Sequence, residues 1–259
     1  MKIHFYKYQG AGNDFIMIDN RTLSFPKNNI DLINKLCDRR FGIGADGLIL
    51  LENSDNFDFK MIYFNADGKE GTMCGNGGRC IVAFAKELKI INNITSFEAV
   101  DGEHSANIKN DLVSLKMADV NTIKEFKNHT FLNTGSPHHI LFQTNIDDID
   151  VKEKGAKIRY GKPYFEEGTN VNFVEQIDAN SFKMRTYERG VENETLACGT
   201  GATAVAIAAN KTNKTNANHI KLEVLGGNLE VSFDFENQNY TNVFLTGPAV
   251  KVFEGNIKL

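Results

Sequence analysis

The sequence predicts an α+β chain of two similar lobes, each a mostly antiparallel β-sheet wrapped around a central helix. Three observations carry this expectation. Short runs alternate apolar with polar residues, the period of a half-buried strand, as in Phe57, Phe59, Met61 and Tyr63 or Leu229, Val231, Phe233 and Phe235. Cys74 and Cys198 each stand immediately before Gly-x-Gly and an apolar run. Finally, loop motifs return half a chain later: Gly12-Asn13 is answered by Gly135-Ser136, Gly47 by Asn170 and Asn65 by Glu188, all 123 residues on, while the two cysteines lie 124 apart. A period this long marks a duplicated domain and not a solenoid repeat. The copies are expected to face each other across a pseudo-two-fold axis, with a ligand site in the cleft between them.

Taken in order, Lys2–Tyr8 and Phe15–Asp19 read as strands around the loop Gly10–Asp14. Ile30, Ile33, Leu36 and Cys37 recur at helical spacing behind Asn29 and Asp31, either of which suits a cap. Leu48–Leu51 is a short buried run, and the alternating strand through Tyr63 ends at Asn65-Ala66-Asp67-Gly68. Val113, Leu115 and Met117 form a further strand. The polar stretch Asp119–Lys127 suits a boundary, giving a first lobe over residues 1–118, completed by a C-terminal strand at 250–259, and a second over 119–249. In the second lobe, Val171–Val174 and Phe182–Tyr187 precede the second cysteine loop, and the turn Gly226-Gly227-Asn228 opens a hairpin.

Bulk properties narrow the function. The chain has 259 residues, 41% of them hydrophobic and 24% charged, so it suffices for two lobes with their own cores. A net charge of −4 argues against nucleic acid and anionic membrane as main partners. No apolar run approaches the roughly 18 residues of a membrane span, and the N-terminus lacks the apolar block of a signal peptide. Four cysteines are too few for a disulfide framework at this length, which points to a reducing, cytoplasmic setting.

The two cysteine loops carry the chemistry. Each opens a helix with a thiol at the end where backbone N–H groups and the positive dipole pole gather. There a cysteine pKa falls from about 8.5 toward neutrality, and a carboxylate can dock. Cys37 and Cys80 sit on apolar helical faces and read as core. Inverting a carbon that carries one hydrogen needs a base on one face and an acid on the other, and two thiols across a cleft supply both. Dipoles aimed at the carboxylate would stabilise the carbanion without a metal or pyridoxal phosphate. No zinc-type CxxC or HExxH pattern is present, nor the lysine of a phosphate-binding loop.

Residues 10–15 (GAGNDF), 40–46 (RFGIGAD), 64–68 (FNADG), 73–77 (MCGNG), 135–138 (GSPH), 169–173 (TNVNF), 187–190 (YERG) and 197–201 (ACGTG) are familiar together. Through them the chain resembles the diaminopimelate epimerases from end to end. The resemblance implies cofactor-independent interconversion of LL- and meso-diaminopimelate, in lysine and cell-wall precursor synthesis. It implies Cys74 and Cys198 as the acid/base pair, and no metal. The N–H groups of Gly75-Asn76 and Gly199-Thr200 would hold the reacting carboxylate. Glu188 and His138 would lie beside the reacting amino acid, while Asn13, Asn65, Asn170 and Arg189 would read its distal groups. It also implies a cytoplasmic homodimer whose partner is a small amino-acid substrate. Two other functions are compatible with the residues: a two-cysteine racemase of another amino acid, and a thiol redox or ligand-binding protein.

Overall fold

In a computed structural model, which describes residues 2–258, the chain divides into two compact units. One comprises Met1–Leu115 with Gly247–Leu259, the other Lys116–Thr246. Met1 and Leu259, the outer limits of the expected lobes, lie outside the described residues.

The first unit opens on a hairpin, β1 (Lys2–Gly10) and β2 (Asn13–Asp19), whose turn places Gly12 at φ 85°, a conformation natural to glycine. Helix α1 (Ile30–Cys37) follows, and Asn29 caps it by accepting the N–H of Leu32. It carries the chain to β3 (Gly47–Glu52), which runs parallel to β2 and antiparallel to β4 (Phe59–Asn65). Every residue of β3 is buried because both sheet faces are covered. Ile16, Ile18, Leu48, Leu50, Ile62 and Phe64 pack with Ile33, Leu36 and Cys37 of α1. The alternate residues Phe15, Ile49 and Met61 meet helix α2 (Gly75–Glu87), where a Cβ at Gly77 would lie 3.0–3.5 Å from them. Helix α2 leads to β5 (Ile94–Ala99), parallel to β4, and the meander β6 (Gly102–Lys109) and β7 (Leu112–Lys116). The last strand of the chain, which pairs antiparallel with β1, returns to this unit.

The second unit repeats the succession. Strands β8 (Ile123–Glu125) and β9 (Thr130–Asn133) form a hairpin, and β9 pairs antiparallel with β10 (Pro137–Phe142) as β1 pairs with β2. Helix α3 (Val151–Arg159), capped by Asp150, crosses to β11 (Asn170–Gln176), parallel to β10. Next come β12 (Ser181–Glu188), short β13 (Asn193–Thr195), helix α4 (Gly199–Lys211) and β14 (His219–Val224), the last parallel to β12. Strands β15 (Gly227–Glu236) and β16 (Asn239–Pro248) complete the unit before β17 (Val250–Lys258).

The repeat extends to strand register. Phe15 pairs with Gly47 and Gly47 with Asn65; His138 pairs with Asn170, and the next residue, Val171, pairs with Tyr187, the neighbour of Glu188. Each central helix has 13 residues. The α+β class is as expected, and most pairings are antiparallel. Among the described residues each unit also contains two parallel pairs, and each of α1 to α4 is the crossover that such a pair requires. The polar stretch expected to hold a boundary contains β8, and the break falls slightly earlier, after Leu115. No described helix is long and apolar enough to cross a membrane.

Candidate active site

Both Cys74 and Cys198 are helix N-caps, with extended backbone, directly before α2 and α4. The first helical hydrogen bond runs from Gly78 N to Cys74 O in one unit and from Ala202 N to Cys198 O in the other. Gly75-Asn76 and Gly199-Thr200 thus form the first residues of their helices, whose N–H groups point out of the helix end. Both helices are almost wholly buried beyond this point, so neither end can drift.

In the first unit, Cys74 is half-buried and its Sγ donates to Asn13 Oδ1 at 3.7 Å. The same oxygen accepts Asn76 Nδ2 at 3.3 Å, while Asn13 Nδ2 donates to Asp46 Oδ2 at 2.6 Å. Asp46 also accepts from Asp14 N and pairs with Arg39. Asp14 is ion-paired to Lys7 and Arg39. Burial pushes its carboxyl up, but hydrogen bonds from Arg39 and Lys7 outweigh that and hold it at about 2. Asp14 and Asp46 therefore fix the Gly10–Phe15 loop and aim Asn13 at Cys74. Asn65 stands apart from this group, exposed at the end of β4, where it accepts the Tyr63 hydroxyl at 2.9 Å.

The second unit builds a longer chain of contacts. Cys198 is buried, and its Sγ lies 3.5 Å from Thr200 Oγ1. That hydroxyl meets His138 Nε2 at 3.0 Å, and His138 Nδ1 meets Asn172 Nδ2 at 3.1 Å. Asn172 Oδ1 accepts from Thr186 Oγ1, so the amide nitrogen is the atom facing the imidazole. Nδ1 is then the acceptor, and the ring proton sits on Nε2, donated to Thr200. The Thr200 hydroxyl is left to donate to Cys198 Sγ or to accept from it. Thr134 Oγ1 steadies this turn by donating to Thr200 O at 2.7 Å. Gly201 is required here, because a Cβ would come within 2.8 Å of Asn172 Oδ1 and 3.2 Å of Cys198 Sγ.

His138 is fully buried, and burial, reinforced by the Arg189 charge, pushes its pKa down to about 3. At neutral pH the ring is therefore uncharged. Its neighbour His139, hydrogen-bonded to the Tyr164 hydroxyl and stacked on His129, is likewise lowered to about 3 by burial. These shifts make the fold acid-sensitive. Between about 3 and the usual 6.5, the unfolded chain binds protons on these rings that the folded chain excludes. Stability is therefore complete above about pH 6.5 and falls as pH drops, by up to about 1.4 kcal/mol per pH unit for each histidine. Urea unfolding at pH 7 and pH 5 should differ by about 3–4 kcal/mol, and His139→Phe should remove roughly half of that difference.

Glu188 ends β12, opposite Asn193 of β13, and accepts Thr195 Oγ1 at 2.9 Å. Burial raises its pKa, against the smaller effect of the Thr195 hydrogen bond. The side chain of Asn170 bridges Pro137 O and the backbone N–H of Arg189, tying the two neighbouring strand ends together. Arg189 is exposed, and its Nη1 donates to Glu167 O. The units thus gather Asn13, Cys74, Gly75 and Asn76 in one case, and His138, Cys198, Gly199 and Thr200 in the other. Asn172, Thr186 and Thr134 join these groups without having been singled out by the sequence. Cys37 and Cys80 are buried free thiols pushed up to about 12 by burial, consistent with a core role.

Comparison with known proteins agrees with this picture. The family profile described as diaminopimelate epimerase matches residues 5–123 and 130–252. A diaminopimelate epimerase of Flavobacterium psychrophilum is 62% identical over 253 residues, covering 97% of this chain and 99% of the relative. One from Chlorobaculum tepidum is 43% identical, covering 96% and 99%. Among solved structures, a Bacillus anthracis phenazine biosynthesis protein of the PhzF family has a TM-score of 0.77 at 14% identity, covering both chains fully. A probable proline racemase from Agrobacterium radiobacter K84 has a TM-score of 0.68 at 14% identity, covering 99% of this chain and 93% of its own. At that identity the likeness is one of fold alone. Matched across nearly its whole length by profile and relatives alike, the chain belongs to the diaminopimelate epimerase family.

Proposed function

We propose that the protein epimerises LL-diaminopimelate to meso-diaminopimelate, with Cys74 and Cys198 as a thiolate/thiol pair and no cofactor. The observation that supports this best is the paired placement of the two cysteines. Each caps a buried 13-residue helix at the same point of a repeated strand succession.

In this reading one sulfur enters as thiolate and removes the α-hydrogen as a proton. The electron pair left on carbon delocalises into the carboxylate, whose growing charge is met by the N–H groups at a helix end. The other thiol then delivers its proton to the opposite face. The product leaves with inverted configuration, and the two sulfurs have exchanged protonation states. Glu188 would accept from the substrate ammonium, and a nearby cation reverses the effect of burial on its carboxyl. Asn13, Asn65, Asn170 and Arg189 would recognise the distal amino and carboxylate groups. The step serves lysine and cell-wall precursor synthesis in a cytoplasmic, homodimeric enzyme.

A substrate panel tests the reading. With chelator present and no cofactor added, LL-diaminopimelate should yield meso-diaminopimelate, while proline and histidine keep their configuration. Turnover of proline or histidine in place of diaminopimelate would replace it with a different two-cysteine racemase.

A further inference from the structure

Arg159 ends α3 and is buried. Its guanidinium links two loops of the second unit. Nη1 donates to Phe165 O at 3.1 Å in the segment between α3 and β11, and Nε donates to Glu192 Oε1 at 3.1 Å in the turn between β12 and β13. The first loop lies directly on the guanidinium. Gly168 has φ 64°, and a Cβ there would fall 2.2 Å from Nη1, so only glycine lets the backbone approach this closely. The second loop closes around Glu192. Its Oε1 also accepts Gly190 N at 3.0 Å, its Oε2 accepts the Tyr187 hydroxyl at 2.9 Å, and its own N–H donates to Glu188 O at 2.8 Å. Burial pushes the Glu192 carboxyl up, but hydrogen bonds from Gly190, Tyr160 and Tyr187 and the Arg159 charge outweigh it and hold the group below the usual carboxylate range. Both partners are therefore charged at neutral pH.

Arg189 stands where these two loops meet. Its backbone N–H is held by Asn170 Oδ1 at 2.9 Å, inside the turn that Glu192 closes. Its side chain is exposed, yet Nη1 donates to Glu167 O at 2.8 Å. Glu167 in turn lies between the Phe165 carbonyl and the Gly168 contact, both fixed by Arg159. We infer that Arg159 and Glu192 are positioning residues that set the direction of the Arg189 guanidinium, and with it the grip on the distal carboxylate of the substrate. This deepens the proposed recognition of diaminopimelate by Arg189 and rests on it. A free arginine side chain has large rotamer freedom, and ordering it on binding costs affinity; a guanidinium already aimed avoids most of that cost. An isolated surface ion pair is worth little. This one differs because its arginine is buried and its carboxylate holds the Gly190 N–H and the Tyr187 hydroxyl as well. The distal carboxylate keeps its charge while the α-proton moves, so its contacts are equal in ground and transition states. Their loss therefore falls on KM more than on kcat.

The test is a double-mutant cycle read in the steady-state kinetics of LL-diaminopimelate epimerisation by the full-length protein. Glu192→Ala should raise KM about three- to tenfold, with a smaller change in kcat. Arg189→Met should raise KM at least as far, and the double variant no further, because Glu192 acts through Arg189. Glu192→Gln keeps the acceptor oxygen and loses the charge, so its KM should lie between those of the unaltered protein and Glu192→Ala. Should the alanine variant fail to fold, Glu192→Gln carries the same cycle at a smaller KM effect. An unchanged KM in folded Glu192→Ala overturns the inference. So do KM effects that multiply in the double variant, which is the outcome of a merely structural role. An unchanged KM in Arg189→Met would instead remove the distal recognition by Arg189 on which the inference rests.

Discussion

Alanine at Cys74 or at Cys198 is expected to abolish epimerisation while leaving each variant able to exchange the α-hydrogen of one stereoisomer. In the proposed mechanism either sulfur serves as base for one hand of substrate and as acid for the other. Removing one therefore ends inversion in both directions, and a general acid or base of this kind is worth roughly 10²–10⁴ in rate. In that mechanism the sulfur that remains would still face one side of the carbon. It can remove a proton there and return one from solvent, giving exchange with retention. In deuterated buffer, Cys74→Ala and Cys198→Ala should label opposite stereoisomers, as nuclear magnetic resonance would show. Folding should be little affected, since each change removes a single sulfur atom. Labelling of the same stereoisomer by both variants would contradict the assignment of one sulfur to each face.

Replacing Asn172 with leucine should have the largest effect on stability and a secondary one on rate. Asn172 is fully buried, and its amide holds His138 Nδ1 on one side and Thr186 Oγ1 on the other. Leucine matches its branched outline but leaves both partners buried and unsatisfied, at about 1–3 kcal/mol each, or about 2–6 kcal/mol in total. The imidazole then loses the contact that fixes its proton on Nε2, and Thr200 loses the donor that orients its hydroxyl toward Cys198. Denaturant unfolding should show the loss of stability, and kcat should fall about 10–100-fold with a smaller change in KM. An unchanged kcat in a folded Asn172→Leu protein would show that the network supports the fold without serving the cysteine.

Much of the fold was legible because it rests on patterns that survive in one dimension. The Asn29 cap with its apolar spacing marks α1, and the alternation through Tyr63 marks β4. The 123-residue offset between loop motifs reappears as equivalent strand registers, because a duplicated sheet keeps its pairing when its loops change. Helix α3 was missed, since only Val151, Gly155 and Arg159 of its nine residues are buried and no apolar stripe announces it. Strand β8 hid in a polar stretch, being mostly exposed on a short hairpin.

The site was legible to a different depth. Cysteines before Gly-x-Gly advertise themselves, and so does Asn13 in its glycine loop. Asn172 and Thr186 look like ordinary strand residues, and Arg159 like a surface residue of a helix. Their importance comes from burial and from partners distant in sequence, which composition and spacing do not encode.

Acid and base on opposite faces of one carbon are most directly tested by running LL-diaminopimelate to low conversion in deuterium oxide with the unmodified enzyme. The meso product should carry deuterium at the inverted centre, because its proton comes from a sulfur equilibrated with solvent, while recovered LL substrate stays unlabelled. Product that retains the substrate's own hydrogen, or label entering product and substrate alike, would contradict a mechanism with two separate sulfur groups.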